Sequence, residues 1–141
     1  MTQTNEDIEQ FVYDALAPLF SKENGAGIIT GDLYPEDSRP LDSRLEDAVI
    51  AVGEGSPDQI QTGSVRVNVY VPDIDCGFGR KVKDKGRCQL IASYDKAVLM
   101  LLKEASNQYS WKLAHNTRTF AEPDIEQHFV NITLKFKFNN E

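Results

Sequence analysis

The densest set of chemically active side chains in this 141-residue sequence is a basic segment near its middle, residues 80–87. Five cations fall within eight positions and are interrupted by one acid: Arg80, Lys81, Lys83, Lys85 and Arg87. Clustered cations attract phosphates and carboxylates through charge and charge-assisted hydrogen bonds. Phe78, two positions before the cluster, adds an apolar group. The basic segment is therefore either a solvated loop before a helix or a contact surface for an acidic partner.

Carboxylates that could serve as a general acid and base are plentiful, but their spacing does not favour a catalytic pair. Glu46 and Asp47 are adjacent, and adjacent positions on a strand point to opposite faces of the sheet. Asp73 and Asp75 lie in a polar stretch that a solvated loop explains. The sequence has no serine-nucleophile elbow, zinc-protease motif or phosphate-binding loop. We therefore expect a protein that is not an enzyme.

Neither the cysteines nor the histidines have the spacing of a metal site. Cys76 and Cys88 are separated by eleven residues, and His115 and His128 lie thirteen positions apart. Structural zinc sites use much closer ligand pairs. We expect two free thiols, no metal and no cofactor. Cys88 lies near a predicted helix start, a position that can lower the pKa of a thiol.

The charge of the chain is uneven as well as acidic. The sequence has 22 acidic and 15 basic side chains, for a formal net charge of −7. Residues 1–60 contain 13 acids and 3 bases, whereas residues 61–141 contain 9 acids and 12 bases. Dedicated DNA-binding domains are usually basic, so we expect no specific nucleic-acid binding. No apolar run reaches about 18 residues, so we expect no membrane span.

Two helical stripes and one alternating strand form the framework that positions these groups. Apolar residues recur at helical spacing over residues 8–20, behind Thr4 as the N-cap, and Pro18 should kink or end this helix. A second stripe covers residues 90–105. Between the stripes, four valines alternate with polar residues over positions 65–71, which is typical of a half-buried strand.

The other segments complete an α+β pattern. Residues 48–52 form a continuous apolar run that predicts a buried strand, and residues 109–113 and 130–138 alternate like strands joined through a turn near Pro123. An acidic loop, residues 36–47, and a polar connection from residue 73 to about residue 86 read as loops. We predict one α+β domain over residues 1–141, in the order α-β-β-β-α-β-β. Its sheet is mainly antiparallel with about four to five strands, and two helices pack on one face.

Several short phrases of the sequence suggest a known family. Tyr34-Pro35 is followed by Arg39-Pro40-Leu41 and then by Glu46-Asp47-Ala48-Val49-Ile50, and the valine strand leads into a long loop. Together with the order of elements, this resembles the small tail-completion proteins of tailed bacteriophages and prophages, also called tail terminators or head–tail joining proteins. The resemblance covers most of the chain. It depends on topology and local phrases instead of an invariant motif, and the loops themselves match no family motif.

The resemblance implies a structural virion protein without catalytic residues. Proteins of this family have an α+β fold, form a ring that is generally six-fold, cap the tail tube and meet the head connector. For this chain it implies three partners, namely copies of itself, tail-tube proteins and head-connector proteins. The implied location is the virion, with the bacterial cytoplasm during assembly.

A head-to-tail ring requires two unlike surfaces of one chain to complement each other. We predict that the basic segment of one copy contacts the acidic loop of the next, with apolar loop residues supplying burial. The predicted interface residues are Leu41, Asp42, Glu46, Asp47, Phe78, Arg80, Lys81, Lys83, Lys85 and Arg87. A small soluble binding module that recognises a protein partner is the first alternative, and a small enzyme is the second.

Overall fold

Three helices cover one face of a six-stranded sheet in the computed structural model, which describes residues 3–53 and 55–139. The helices are α1 (Asn5–Phe20), α2 (Lys85–Ala92) and α3 (Asp95–Ala105). The sheet strands are β1 (Leu33–Tyr34), β2 (Ala48–Val52), β3 (Ile60–Pro72), β6 (Tyr109–Leu113), β7 (Arg118–Glu122) and β8 (Gln127–Asn139). A separate hairpin consists of β4 (Ile74–Asp75) and β5 (Lys81–Val82), and a 3-10 turn covers Pro123–Ile125. No helix among the described residues combines the length and hydropathy needed to cross a membrane.

The predicted α+β class is confirmed, but the sheet is larger than predicted and mixed. Its order is β1-β2-β3-β8-β6. β6 and β7 pair with the same side of β8, β7 along its first residues and β6 along its last ones. β1 runs parallel to β2, and the remaining pairs are antiparallel. The parallel pair and the sixth strand depart from the predicted mainly antiparallel sheet of about four to five strands, because β1 has only two residues, too few to show a period, and β7 has no clear alternation. The acidic loop carries the chain back so that β2 can start beside β1 in the same direction.

The two longest strands form the centre of the sheet. β3 and β8 pair without interruption from Ile60 opposite Asn139 to Pro72 opposite Gln127. The four alternating valines of β3 are all buried, as predicted, in the core that also contains the helix stripes. Gly63 continues this inward row, and a Cβ atom there would lie only 2.7 Å from the ring of Phe136. The missing side chain therefore leaves room for that ring.

The first helix begins and packs as its sequence predicts. Thr4 Oγ1 accepts a hydrogen bond from the Asp7 backbone N–H, and the Asp7 carboxylate accepts one from the Thr4 backbone N–H, which completes a capping box. The helix continues through Pro18 to Phe20. The second stripe is divided into α2 and α3, separated by Ser93 and Tyr94. Buried residues of all three helices join the same core as the inner face of the sheet.

Candidate assembly interface

The two segments predicted to contact each other between copies lie at the same end of the sheet, where β8 begins. Within the acidic loop, the Arg39 guanidinium donates to Oε1 of Gln127, the first residue of β8, at 2.9 Å. On the other side, Nδ1 of His128 lies 2.7 Å from the carboxylate of Asp73, just before the β4–β5 hairpin. The fold thus brings the acidic loop and the root of the hairpin to neighbouring residues of one strand.

Glu46 is buried and bonded to the last cation of the basic segment. Arg87 donates from Nε to Glu46 Oε2 at 2.7 Å and from Nη2 to Oε1 at 2.6 Å, the two-pronged geometry that arginine and carboxylates favour. Arg87 also donates to the Ile28 carbonyl at 2.9 Å. The hydrogen bond to Glu46 raises the pKa of Arg87. The attraction predicted between two copies is therefore formed, at this pair, within one chain.

Asp47 is fully buried and fixes the acidic loop from inside. Its carboxylate accepts from Arg39 Nε at 2.8 Å, from the hydroxyl of Ser43 and from the backbone N–H of Asp32 at 3.0 Å. The same guanidinium covers the ring of Tyr70 at 4.3 Å from its centroid. Since Glu46 and Asp47 are adjacent, they reach different arginines on opposite sides of the chain. Burial removes both carboxylates from the surface that a partner could contact.

The basic segment begins in a hairpin, where the sequence predicted a loop. β4 and β5 pair through Ile74 opposite Val82, and the backbone N–H of Cys76 donates to the Arg80 carbonyl at 2.9 Å. Between these bonds, Phe78 has a φ of 58° and lies between two glycines that also have positive φ. Glycine adopts this left-handed conformation without steric cost. The turn displays the Phe78 ring fully exposed at its tip.

The structure leaves most of the other predicted interface residues at the surface. Lys81 makes a long ion pair of 3.7 Å with Glu126, and both side chains are largely exposed. Arg87 is only partly exposed because it bonds Glu46. Seven of the ten predicted residues are exposed: Leu41, Asp42, Phe78, Arg80, Lys81, Lys83 and Lys85.

Sequence reasoning missed the residues that anchor the acidic loop. Arg39 joins Asp47, the Leu45 carbonyl and Gln127, and the amide of Gln127 donates back to the Ser43 carbonyl at 2.8 Å. One signal was present, since Arg39 is one of only three bases among the thirteen acids of residues 1–60. An isolated cation in such a segment is a natural partner for a carboxylate that becomes buried.

The cysteines are free, one exposed at Cys76 and one buried at Cys88. Burial raises the pKa of Cys88, so the predicted lowering by the nearby helix start does not prevail. In the described part of the chain, no group of three His, Cys, Asp or Glu side chains is arranged to hold a metal ion.

Comparison of the chain with protein-family models and with curated proteins found no match. The resemblance to tail-completion proteins therefore stays a prediction from the phrases and the order of elements described above. What bears most directly on function is the chemistry of the sheet end where the acidic loop and the hairpin lie together.

Proposed function

We propose that this protein is a structural, non-catalytic virion component that assembles with copies of itself into a ring between the tail tube and the head connector of a tailed phage or prophage. One observation supports self-assembly above the others. Phe78 is fully exposed and Leu41 almost fully exposed, on the two segments that meet at one end of the sheet. Covering an apolar side chain of this size contributes roughly 1.5–3 kcal/mol. Two such side chains on fixed turns favour association with a complementary surface.

The charges around these apolar tips suit a head-to-tail contact. The hairpin and the residues after it expose Arg80, Lys83 and Lys85, whereas the acidic loop exposes Glu36, Asp37 and Asp42. Asp42 was predicted as an interface residue, and Glu36 and Asp37 belong to the same acidic loop, whereas Glu46 and Asp47 are buried. Exposed ion pairs contribute only about 0–1 kcal/mol each, so they set orientation and encounter rate more than affinity.

In the proposed ring the two segments of one copy contact two different neighbours, which makes the interface heterologous, and repetition of a heterologous contact closes a ring when the rotation between copies permits. The apolar tips supply burial and the charges choose the partner surface. Tail-tube and head-connector proteins are the further proposed partners, on surfaces that the contact between copies leaves uncovered. The proposed location follows from those partners: the virion, after assembly in the bacterial cytoplasm.

Sedimentation velocity over a range of protein concentrations tests the proposal. We expect the wild type to form species larger than a monomer, and Phe78→Ser to associate at least about tenfold more weakly, as the loss of about 1.4 kcal/mol requires. Met100→Ser is the matched control, because Met100 is an apolar side chain that α3 exposes elsewhere on the molecule. A second variant changes Lys81, Lys83 and Lys85 to Glu and should weaken association most at low salt.

Negative-stain microscopy of the largest species then shows whether the copies form a closed ring. A wild type that stays monomeric at the highest attainable concentration contradicts self-assembly. Equal association of Phe78→Ser and wild type would remove the hairpin from the interface.

A further inference from the structure

The face of the sheet that points away from the helices carries a row of cations. All five side chains are exposed, and they lie on the four paired strands β3, β6, β7 and β8. They are Arg66, Lys112, Arg118, Lys135 and Lys137. Among the described residues, none of the five forms an ion pair. Glu122, beside the start of β8, is the one carboxylate that the described strands place on this face. The end of the open sheet face that carries the three lysines is therefore positive, whereas Glu36, Asp37 and Glu122 lie beside Arg66 at its other end.

The register concentrates these charges along β8. Lys112 lies directly opposite Lys135, and Lys137 follows on the same face two residues later. Two like charges directly opposite each other destabilise a strand pair. Arg66 lies opposite Thr133, so the row continues toward the middle of the sheet. An anion laid along β8 would relieve the repulsion between these side chains.

The three lysines line an open groove of about 650 Å³. Its other polar lining comes from hydroxyl groups, on Ser56, Thr62, Ser64 and Ser110. Ammonium and hydroxyl groups are the donors that proteins direct at the phosphate oxygens of nucleic acids. The groove thus presents a donor-rich floor, which is suited to a phosphate backbone.

Two aromatic side chains, one on β7 and one on β8, continue the row of cations on the same face of the sheet. Phe120 lies opposite Phe129 with the ring centroids 5.5 Å apart and the ring planes inclined by 30°, and Phe120 is 38% exposed. The guanidinium of Arg118 lies 5.0 Å from the centroid of the Phe120 ring. From Lys135 to Phe129 the strand rises about 20 Å, at roughly 3.4 Å per residue. Surfaces that bind single-stranded nucleic acids combine cations, which contact the phosphate backbone, with aromatic rings, on which the bases stack.

We propose that the open sheet face binds single-stranded nucleic acid without sequence preference, with phosphates along the lysine groove and a base against Phe120. A single strand fits better than a duplex because its bases have free faces that can stack on an aromatic ring. The site goes beyond the assembly role and does not depend on it.

The acidic composition of the chain does not prevent this binding. The exposed acids of α1, Glu6 and Asp14, lie on the opposite layer of the domain. A helix with its side chains is about 10 Å thick, and the screening length is about 8 Å at physiological salt. The lysine groove is therefore screened from those carboxylates, and its own positive field acts on a bound strand.

Fluorescence anisotropy of the full chain with a labelled twelve-residue oligothymidylate tests the site. We expect binding at 50 mM salt and about 20-fold weaker binding at 200 mM, if three phosphates are neutralised on a single strand. Changing Lys135 and Lys137 together to Glu should weaken binding at least about tenfold. The matched control changes Lys96 and Lys103 to Glu, an equal charge change at exposed lysines of α3 on the helix side of the sheet, and should change affinity less than about twofold.

Three further measurements identify what binds. Phe120→Ala should weaken binding about tenfold, as the loss of one stacked base predicts. A duplex of the same length should bind more weakly than the single strand. Changing Lys135 and Lys137 to Gln repeats the test without charge reversal, and circular dichroism with thermal unfolding verifies that each variant is folded.

Several outcomes overturn the proposal. Absence of binding at 50 mM salt, or an equal loss in the Lys96 and Lys103 control, excludes a dedicated site on this face. Equal binding of duplex and single strand with no effect of Phe120→Ala excludes the single-strand assignment. Reduced self-association of the Lys135 and Lys137 variant, with no oligonucleotide binding by the wild type, would assign this face to an acidic surface of a second copy.

Discussion

The acidic loop and the basic segment are both short charged stretches of the sequence, yet the fold places their charges in opposite ways. The acidic loop turns Glu46 and Asp47 inward and closes over them with arginines. The hairpin that begins the basic segment points its ring and most of its cations outward. Glu46 and Asp47 directly precede the buried strand β2, whereas the exposed lysines lie in the short outer strand β5 and at the start of α2. Position relative to a buried element thus decides whether a charge is internal or available to a partner.

The inward carboxylates are tolerated because each one has a close cationic partner. A buried charge is costly unless it is paired and its remaining hydrogen-bonding capacity is satisfied. Asp47 meets this condition with Arg39, Ser43 and a backbone N–H, and Glu46 with both nitrogens of Arg87. The hairpin needs no such network, since water solvates its cations. We therefore expect substitutions to separate the two regions by their effect on stability.

The largest effect is expected at the anchor of the acidic loop. Asp47→Ala leaves Arg39 buried without its carboxylate and should lower the free energy of unfolding by about 3–5 kcal/mol. Urea denaturation followed by circular dichroism measures the change. Asp42→Ala, on the exposed part of the same loop, is the control and should stay within about 0.5 kcal/mol. A loss below about 1 kcal/mol for Asp47→Ala would contradict the internal role given to this network.

A smaller loss is expected at the second internal pair. Glu46→Gln removes the charge opposite Arg87, but about one third of the Arg87 side chain is accessible to water. Water then solvates part of the unpaired cation, so we expect a loss of about 1–2 kcal/mol. A double-mutant cycle with Arg87→Gln should give a coupling energy of at least about 0.5 kcal/mol. Strictly additive single changes would mean that the two side chains do not stabilise each other.

The smallest effect is expected on the hairpin. Lys81→Gln breaks only the exposed 3.7 Å pair with Glu126 and should change stability by less than about 0.5 kcal/mol. The same denaturation experiment measures it, with Glu126→Gln as the reciprocal variant. If either change costs more than about 1 kcal/mol, the hairpin is held as firmly as the acidic loop and the contrast between the two regions fails.

Elements with a local signature could be predicted from the sequence, and elements without one could not. The apolar stripe of α1 repeats over several turns behind a capping box, and the valines of β3 alternate over seven residues. Both patterns can be recognised without knowing which elements pack against them. β1, β4 and β5 contain two residues each, and β7 shows no clear alternation of buried and exposed positions. Such strands are fixed by the strands with which they pair, and no pattern of their own marks them.

In the candidate interface, too, features with a local sequence signature could be predicted and features formed by distant residues could not. The exposed Phe78 and lysines of the basic segment could be predicted because a turn sequence with glycines is displayed wherever it occurs. The partners of the carboxylates could not, since Glu46 and Arg87 are 41 positions apart and meet only when α2 packs beside β3 and β8. The cationic sheet face was also invisible, because its members come from separate strands whose register unites them.

The free thiols give the hairpin a built-in reporter. Cys76 lies two residues before Phe78 and is exposed, whereas Cys88 is buried with a raised pKa. Because the thiolate is the reactive form, a maleimide dye should label the native protein at Cys76 alone. Its emission would then change whenever another molecule covers the hairpin tip. Assembly could be followed in real time on the unaltered sequence, with protection of Cys76 from labelling as a second, independent signal.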